Sequence, residues 1–168
     1  PVIWAYYGQA RFGWTSAMVG ISLAVYGIAF AVGQATLVGP LIRRFGEHRA
    51  AQYGMWVDIV TLAGFGLVTH PALAIAITPV TALGGVVTPA LQAMASRAAP
   101  DDAQGEVQGV LSSLNAIAMI TAPLLMTTTF SYFTGPSAPV YSPGAPFLLA
   151  SALMVVCLAL HVTGRPKG

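Results

Sequence analysis

Residues 50–69 read AAQYGMWVDIVTLAGFGLVT, and this stretch decides the fold. A helix needs about 20 consecutive, predominantly apolar residues to cross the hydrocarbon core of a bilayer. The stretch has that length and carries one charged residue, Asp58. We therefore predict that residues 50–69 form a transmembrane helix.

Apolar stretches of similar length follow one another along the rest of the chain. Of the 168 residues, 56% are hydrophobic and only 7% are charged, whereas soluble domains carry about 25% charged residues. We predict the end of one span at residues 1–9 and five complete spans near residues 15–38, 50–69, 72–95, 107–132 and 146–162. The predicted fold class is an all-α, polytopic transmembrane bundle that occupies residues 1–168.

The basic residues predict how the bundle is oriented. Loops on the cytoplasmic side of a membrane are enriched in Lys and Arg. Counting alternate loops leaves Arg11 alone on one side. The other side carries Arg43, Arg44, Arg49, Arg97, Arg165 and Lys167. We therefore predict a multi-pass protein of the inner (cytoplasmic) membrane, with the C-terminus in the cytoplasm and with anionic lipid as its partner.

The sequence contains none of the common catalytic motifs. It contains no Ser/His/Asp set, no HExxH, no CxxC and no GxxxxGK[ST] phosphate loop. His48, His70 and His161 lie at predicted membrane edges without the spacing of metal ligands. The net charge is only +2, and the basic residues flank apolar spans. We expect no enzymatic activity, no cofactor, no resident metal and no nucleic-acid partner.

Polar and small residues recur on single faces of the predicted helices. Residues 72–95 carry such a stripe, spaced three or four apart, at Thr78, Thr81, Gly85, Thr88 and Gln92. Gln34 follows Gly20 and Gly27 at intervals of seven, and Ser112 and Asn115 share a face of residues 107–132. Small and hydroxyl residues also serve helix packing alone. Several such faces together indicate a polar interior and a pathway for a solute.

Asp58 is the most informative residue of the sequence. A carboxylate near the middle of a span costs roughly 2.5–3.5 kcal/mol on insertion scales, and such residues usually face the bundle interior. Gly54 and Thr61 lie four residues before and three after it, on the same helix face. Two hypotheses remain open: Asp58 takes up and releases protons during transport, or it is a structural carboxyl group bonded to a neighbouring helix.

Several segments together resemble a known family. Residues 39–49, GPLIRRFGEHR, resemble the G-x-L-x-D-R-x-G-R-R signature of major facilitator transporters, with Arg43 in place of the Asp. The matching residues of this cytoplasmic loop motif are Gly39, Arg43, Arg44, Gly46 and Arg49. Further matches are residues 20–27 (GISLAVYG), Gln34-Ala35, Gly54-Met55 with Asp58, residues 89–94 (PALQAM), Ser96-Arg97, Gln104-Gly105, Gln108-Gly109 and residues 123–125 (PLL). In this order they resemble the second half of the tetracycline/proton antiporter family, from the end of helix seven to helix twelve.

The resemblance implies a twelve-helix protein in which two six-helix halves face each other across a central cavity. The chain would be the C-terminal half, and its partners would be the N-terminal half, protons and a small-molecule drug. The implied substrate is tetracycline, carried as a magnesium chelate. Asp58 and Gln34 match family positions in helices nine and eight. Phe30 stands where several members have a His, so proton coupling or the substrate differs here.

The sequence thus predicts a proton-coupled drug antiporter that works by alternating access. Asp58 would exchange protons, and the predicted cavity residues are Phe30, Gln34, Thr81, Gln92, Ser112 and Asn115. Two alternatives stay open: efflux of another drug or metabolite by the same fold, and a membrane scaffold that transports nothing.

Overall fold

A computed structural model describes residues 2–136 and 138–164. Over these residues the chain is helical and contains no strand, which confirms the all-α class. The seven helices are α1 (Val2–Phe12), α2 (Ser16–Gly33), α3 (Gly39–Leu67), α4 (Pro71–Thr81), α5 (Val87–Ala98), α6 (Gln104–Thr134) and α7 (Ala145–Thr163). Arg165 and Lys167, which the orientation prediction also used, lie outside the described residues.

Helices α2 and α3 are joined without a loop. A π-helical segment, Gln34–Val38, leads directly into α3, where the sequence predicted an irregular loop at residues 39–49. Pro40 removes one N–H donor from this continuous helical run, and the π-helical segment lies directly before it. The chain turns instead at Gly46, which has φ 77° and ψ 160°. Glycine is favoured there because it has no Cβ to clash at positive φ.

The predicted span at residues 72–95 is not one continuous helix. It is divided into α4, a 3-10 segment at Ala82–Val86, and α5. Two sequence features cause the break. Gly84 and Gly85 lie inside the segment and favour helix poorly. Pro79 and Pro89 stand on either side of it and remove two helical N–H donors.

Helix α3 is the centre of the bundle and packs against α4, α5 and α7. Glycines make the close approaches possible. A Cβ on Gly54 would lie 2.6 Å from Val87 Cγ2, and a Cβ on Gly144 would overlap the backbone carbonyl of Gly66. Small residues at helix crossings are the usual means by which membrane helices gain van der Waals contact.

Aromatic residues close one end of the bundle. Trp4, Tyr7, Phe12 and Trp14 pack with Phe65 and Phe147, with ring centroids as near as 4.8 Å for Tyr7 and Phe147. Tyr7 is fully buried, and its hydroxyl donates to the Phe65 carbonyl at 2.5 Å. Arg11 Nε donates to the Val68 carbonyl at 3.1 Å. This group therefore covers the carbonyl end of α3.

Four helical stretches of the described residues are long and apolar enough to cross a membrane: Ser16–Leu67, Pro71–Ala98, Gln104–Thr134 and Ala145–Thr163. The first contains 52 residues, more than twice the length of about 20 that one crossing requires. It therefore holds two crossings, α2 and the part of α3 beyond Gly46. No described side chain of α6 is buried, so this helix lies on the outside of the bundle.

A candidate transport cavity around Asp58

A cavity of about 640 Å³ is lined by residues of α1, α2, α3, α4, the 3-10 segment, α5 and α7. Volumes of 300–1,000 Å³ are typical of small-molecule sites. One group of lining residues is polar or small: Asp58, Thr61, Thr78, Thr81, Gly84, Gly85 and Thr88. The other is apolar or aromatic: Trp4, Leu23, Tyr26, Phe30, Leu62, Phe65, Val87, Phe147 and Met154.

Asp58 contributes the one carboxyl group among the described residues that line this cavity. It is half-buried, and its carboxyl group lies directly against Gly84, where any Cβ would overlap the Oδ1 atom. Within residues 2–136 and 138–164, no side chain pairs with it through a hydrogen bond or an ion pair. The carboxylate is therefore free to bind a proton or a cation that enters the cavity.

The threonines of the cavity wall present oxygen acceptors. Thr61, Thr78 and Thr81 donate their hydroxyl protons to carbonyls of their own helices, at 2.8, 2.9 and 2.6 Å. The lone pairs that remain on these oxygens can accept hydrogen bonds. No Lys, Arg or His is among the described lining residues. With Asp58 as its one charged group, the described wall thus favours a cationic ligand.

Aromatic rings form another part of the cavity wall. Tyr26 and Phe30 stand one helical turn apart on α2, with centroids 5.8 Å apart and an interplanar angle of 31°. The faces of such rings attract cations and stack on planar ligands. Phe30, which the family comparison of the sequence singled out, therefore lies on the cavity wall together with Asp58 and Thr81.

Gln34 has a different environment from the one predicted. It does not line the cavity, and its Nε2 atom donates to the backbone carbonyl of Gly85 at 2.9 Å. The hydrogen bond connects the π segment after α2 to the 3-10 segment after α4. Gln34 thus contacts Gly85, which lines the cavity, without lining the cavity itself.

Three other predicted cavity residues also lie elsewhere. Gln92, Ser112 and Asn115 are exposed and do not line the cavity. Thr88, one helical turn before Gln92 on α5, does line the cavity, so the cavity wall ends between these two residues. Ser112 and Asn115 belong to α6, which lies at the outside of this bundle.

The basic residues of the sequence motif gather at one end of the bundle. Arg43, Arg44 and Arg49 are exposed. The guanidinium of Arg44 lies 5.6 Å from the ring centroid of Phe45. Glu47 pairs with Arg97 of α5 at 2.9 Å, although the Arg97 side chain is 78% exposed. The exposed guanidinium groups of Arg43, Arg44 and Arg49 are available to lipid or to another protein surface.

Sequence reasoning missed several lining residues. Tyr26 was detectable, because it precedes Phe30 by four residues and therefore shares its face. Trp4 and Phe147 come from helices far apart in sequence, and no spacing rule brings them together. Gly84 was detectable as half of a Gly-Gly pair within an apolar span.

The amino-acid sequence matches a known family and several known proteins. The family model of the Major Facilitator Superfamily matches residues 1–168. The class C tetracycline resistance protein of Escherichia coli is 39% identical over 156 residues, which cover 93% of this chain and 38% of that protein. The class G tetracycline resistance protein of Vibrio anguillarum is 35% identical over 158 residues, covering 94% and 39%.

A relative with another name is the Hippocampus abundant transcript 1 protein of Homo sapiens, 30% identical over 115 residues, covering 68% of this chain and 24% of that protein. No solved structure matches the chain at a significant level. The chain spans 38% and 39% of the length of the two tetracycline resistance proteins above.

The long apolar helices and the cavity are features expected of a membrane transporter, and the matched sequences point to the same class. The matched family consists of membrane transporters rather than enzymes, as the sequence predicted. The match extends over every residue of the chain. The chain belongs to the Major Facilitator Superfamily.

Proposed function

We propose that the protein is a proton-coupled antiporter that exports a drug, and that the drug is tetracycline bound to a metal ion. The observation that carries the proposal is Asp58: a carboxylate without a pairing partner among the described residues, in a cavity with no Lys, Arg or His among its described lining residues. The relatives named for tetracycline resistance support the choice of drug.

The cavity has the chemistry that an exchange of cations requires. One carboxylate can hold a proton or offset one positive charge of a metal–drug chelate, but it cannot do both at once. Binding of the drug complex therefore favours release of the proton, and protonation favours release of the drug. The threonine oxygens suit the hydroxyl and amide donors of the drug. Tyr26 and Phe30 suit its flat ring system.

Alternating access supplies the remaining step. In this mechanism two bundles rock against each other around a site near the middle of the membrane. The described helices would form one bundle, and an N-terminal six-helix half would be its partner. Gln92, Ser112 and Asn115 are exposed on α5 and α6, where such a partner could enclose them within a larger cavity.

We also propose an orientation in the cytoplasmic membrane. Arg43, Arg44, Arg49 and Arg97 gather at one end of the bundle, and Arg11 lies at the aromatic end. The excess of basic residues favours the cytoplasm for the first end and anionic lipid as its neighbour. The C-terminus would lie on the same side.

Resistance tests examine the proposed substrate. We expect expression of the intact gene in a drug-sensitive bacterium to raise the minimal inhibitory concentration of tetracycline several-fold, because export lowers the internal drug concentration. A proton uncoupler should abolish the difference in drug accumulation. Cells carrying the empty vector are the control. Unchanged tetracycline sensitivity with normal membrane expression would contradict tetracycline export.

Phe30 favours a second candidate, the export of another drug or metabolite by the same mechanism. Its ring is apolar and cannot carry a proton, and it contacts the cavity beside Tyr26. A relative of the chain carries a name unconnected with tetracycline. Resistance to a different drug class, without a change for tetracycline, would select this candidate.

A further inference from the structure

The backbone carbonyl of Gly85 loses its helical donor because of the sequence. In an α-helix this carbonyl accepts a hydrogen bond from the N–H of the fourth residue that follows. That residue is Pro89, which has no N–H. The helix is broken here, with Ala82–Val86 in 3-10 conformation. In the membrane interior such a freed carbonyl costs free energy unless a neighbouring helix supplies a donor.

Gln34 supplies that donor. Its Nε2 atom lies 2.9 Å from the Gly85 oxygen, although the two residues are 51 positions apart in sequence. A Cβ on Gly85 would lie 2.7 Å from both Gln34 Nε2 and Phe30 Cε2. Glycine at this position therefore allows the amide to reach the carbonyl. Gln34 also begins the π segment, a conformation that is rare and frequently found at functional sites.

Asp58 contacts the same 3-10 segment at Gly84, the residue before Gly85. Any Cβ on Gly84 would overlap the Asp58 carboxyl group, whereas the Gln34 amide meets Gly85. The two adjacent glycines thus lie between the Gln34 amide and the Asp58 carboxylate. A shift of Ala82–Val86 would change the surroundings of Asp58 directly.

We infer that Gln34 is a positioning residue: its amide replaces the missing N–H of residue 89 and holds the Ala82–Val86 segment against Asp58. The inference rests on the proposed function, since it assigns Gln34 a part in proton exchange at Asp58 without contact to the drug. Loss of the amide frees the Gly85 carbonyl and lets the segment move away. The side chains proposed to meet the drug, Tyr26, Phe30 and the threonines of α3 and α4, lie outside this segment and stay in place.

A double-mutant cycle in the intact protein tests this. Gln34→Leu removes the donor with little change in volume, and Pro89→Ala restores an N–H at residue 89. We expect Gln34→Leu to lower the maximal rate of proton-driven tetracycline uptake into inverted vesicles by about tenfold, because the segment beside Asp58 loses the hydrogen bond that holds it. The half-saturating tetracycline concentration stays unchanged. Adding Pro89→Ala to Gln34→Leu restores most of the rate.

The matched control is Gln9→Leu, the same chemical change at an exposed glutamine of α1. We expect it to leave rate and half-saturation unaltered. A higher half-saturating concentration in Gln34→Leu that Pro89→Ala does not correct would show that Gln34 contacts the drug, and would overturn the inference. Equal, additive losses from the two substitutions would overturn it as well.

A second measurement separates this inference from the proposed function. The midpoint of thermal unfolding is measured for the purified unsubstituted protein, Gln34→Leu, Pro89→Ala and the double variant. This gives a double-mutant cycle that does not depend on transport. Rescue of the Gln34→Leu midpoint by Pro89→Ala supports the hydrogen bond even if tetracycline is not the substrate, whereas additive shifts overturn it. Absence of tetracycline transport by the unsubstituted protein would contradict the proposed function alone.

Discussion

Asp58→Asn in the intact protein should abolish drug uptake that is driven by a pH gradient in inverted vesicles, a loss of at least about 100-fold, or 2.7 kcal/mol of barrier. The amide has nearly the shape of the carboxyl group, so packing against Gly84 is kept. It can neither take up a proton at neutral pH nor offset the charge of a metal–drug complex. Both halves of the exchange therefore stop.

Two further variants make this result specific. Asp58→Glu keeps a titratable carboxyl group and should retain part of the uptake. Asp102→Asn makes the same change at an exposed carboxylate and should leave uptake at the level of the unsubstituted protein. Membrane abundance of each variant is measured by immunoblot. Normal uptake by Asp58→Asn at normal abundance would exclude Asp58 as the proton carrier and would leave it a structural role.

Gly84→Ala should have the second-largest effect, although it adds a single methyl group. The new Cβ would occupy the place of the Asp58 carboxyl group. Since Gly84 belongs to a buried segment next to α3, either the carboxyl group or the segment must move. Overpacking of this kind costs typically 1–3 kcal/mol. We expect a lower midpoint of thermal unfolding and a loss of most uptake.

Gly20→Ala is the matched control, because nothing lies within 4 Å of the position where its Cβ would stand. Its effect on stability should stay within about 0.5 kcal/mol, as for most exposed substitutions. If Gly84→Ala unfolds and transports like Gly20→Ala, the close contact between Asp58 and the 3-10 segment is wrong.

Hydropathy predicted the all-α class with helices able to span a membrane, because the free energy of burying apolar residues in lipid depends mainly on composition and length. Residues 15–38 correspond to α2 with its π segment, and residues 107–132 lie within α6. The helical continuation through residues 39–45 was not predicted, because the mixture of apolar and basic residues there is compatible with a helix and with a loop. The turn at Gly46 depends on one glycine at positive φ.

The site was harder to predict than the spans. Asp58 could be assigned to the bundle interior because a charged side chain that faces lipid costs free energy. The environment of Gln34 could not, because a polar stripe does not reveal whether its members face a cavity or a carbonyl of another helix. The break at Ala82–Val86 was detectable from Gly84, Gly85 and Pro89, since each weakens a helix for a known reason.

Proton movement caused by the drug tests the central claim most directly. Inverted vesicles containing the intact protein are acidified by respiration, and a fluorescent dye reports the internal pH while tetracycline and magnesium are added. The exchange proposed for Asp58 predicts that the drug releases protons from vesicles with the unsubstituted protein and releases none from vesicles with Asp58→Asn. Equal proton release in both preparations, or none in either, would contradict it.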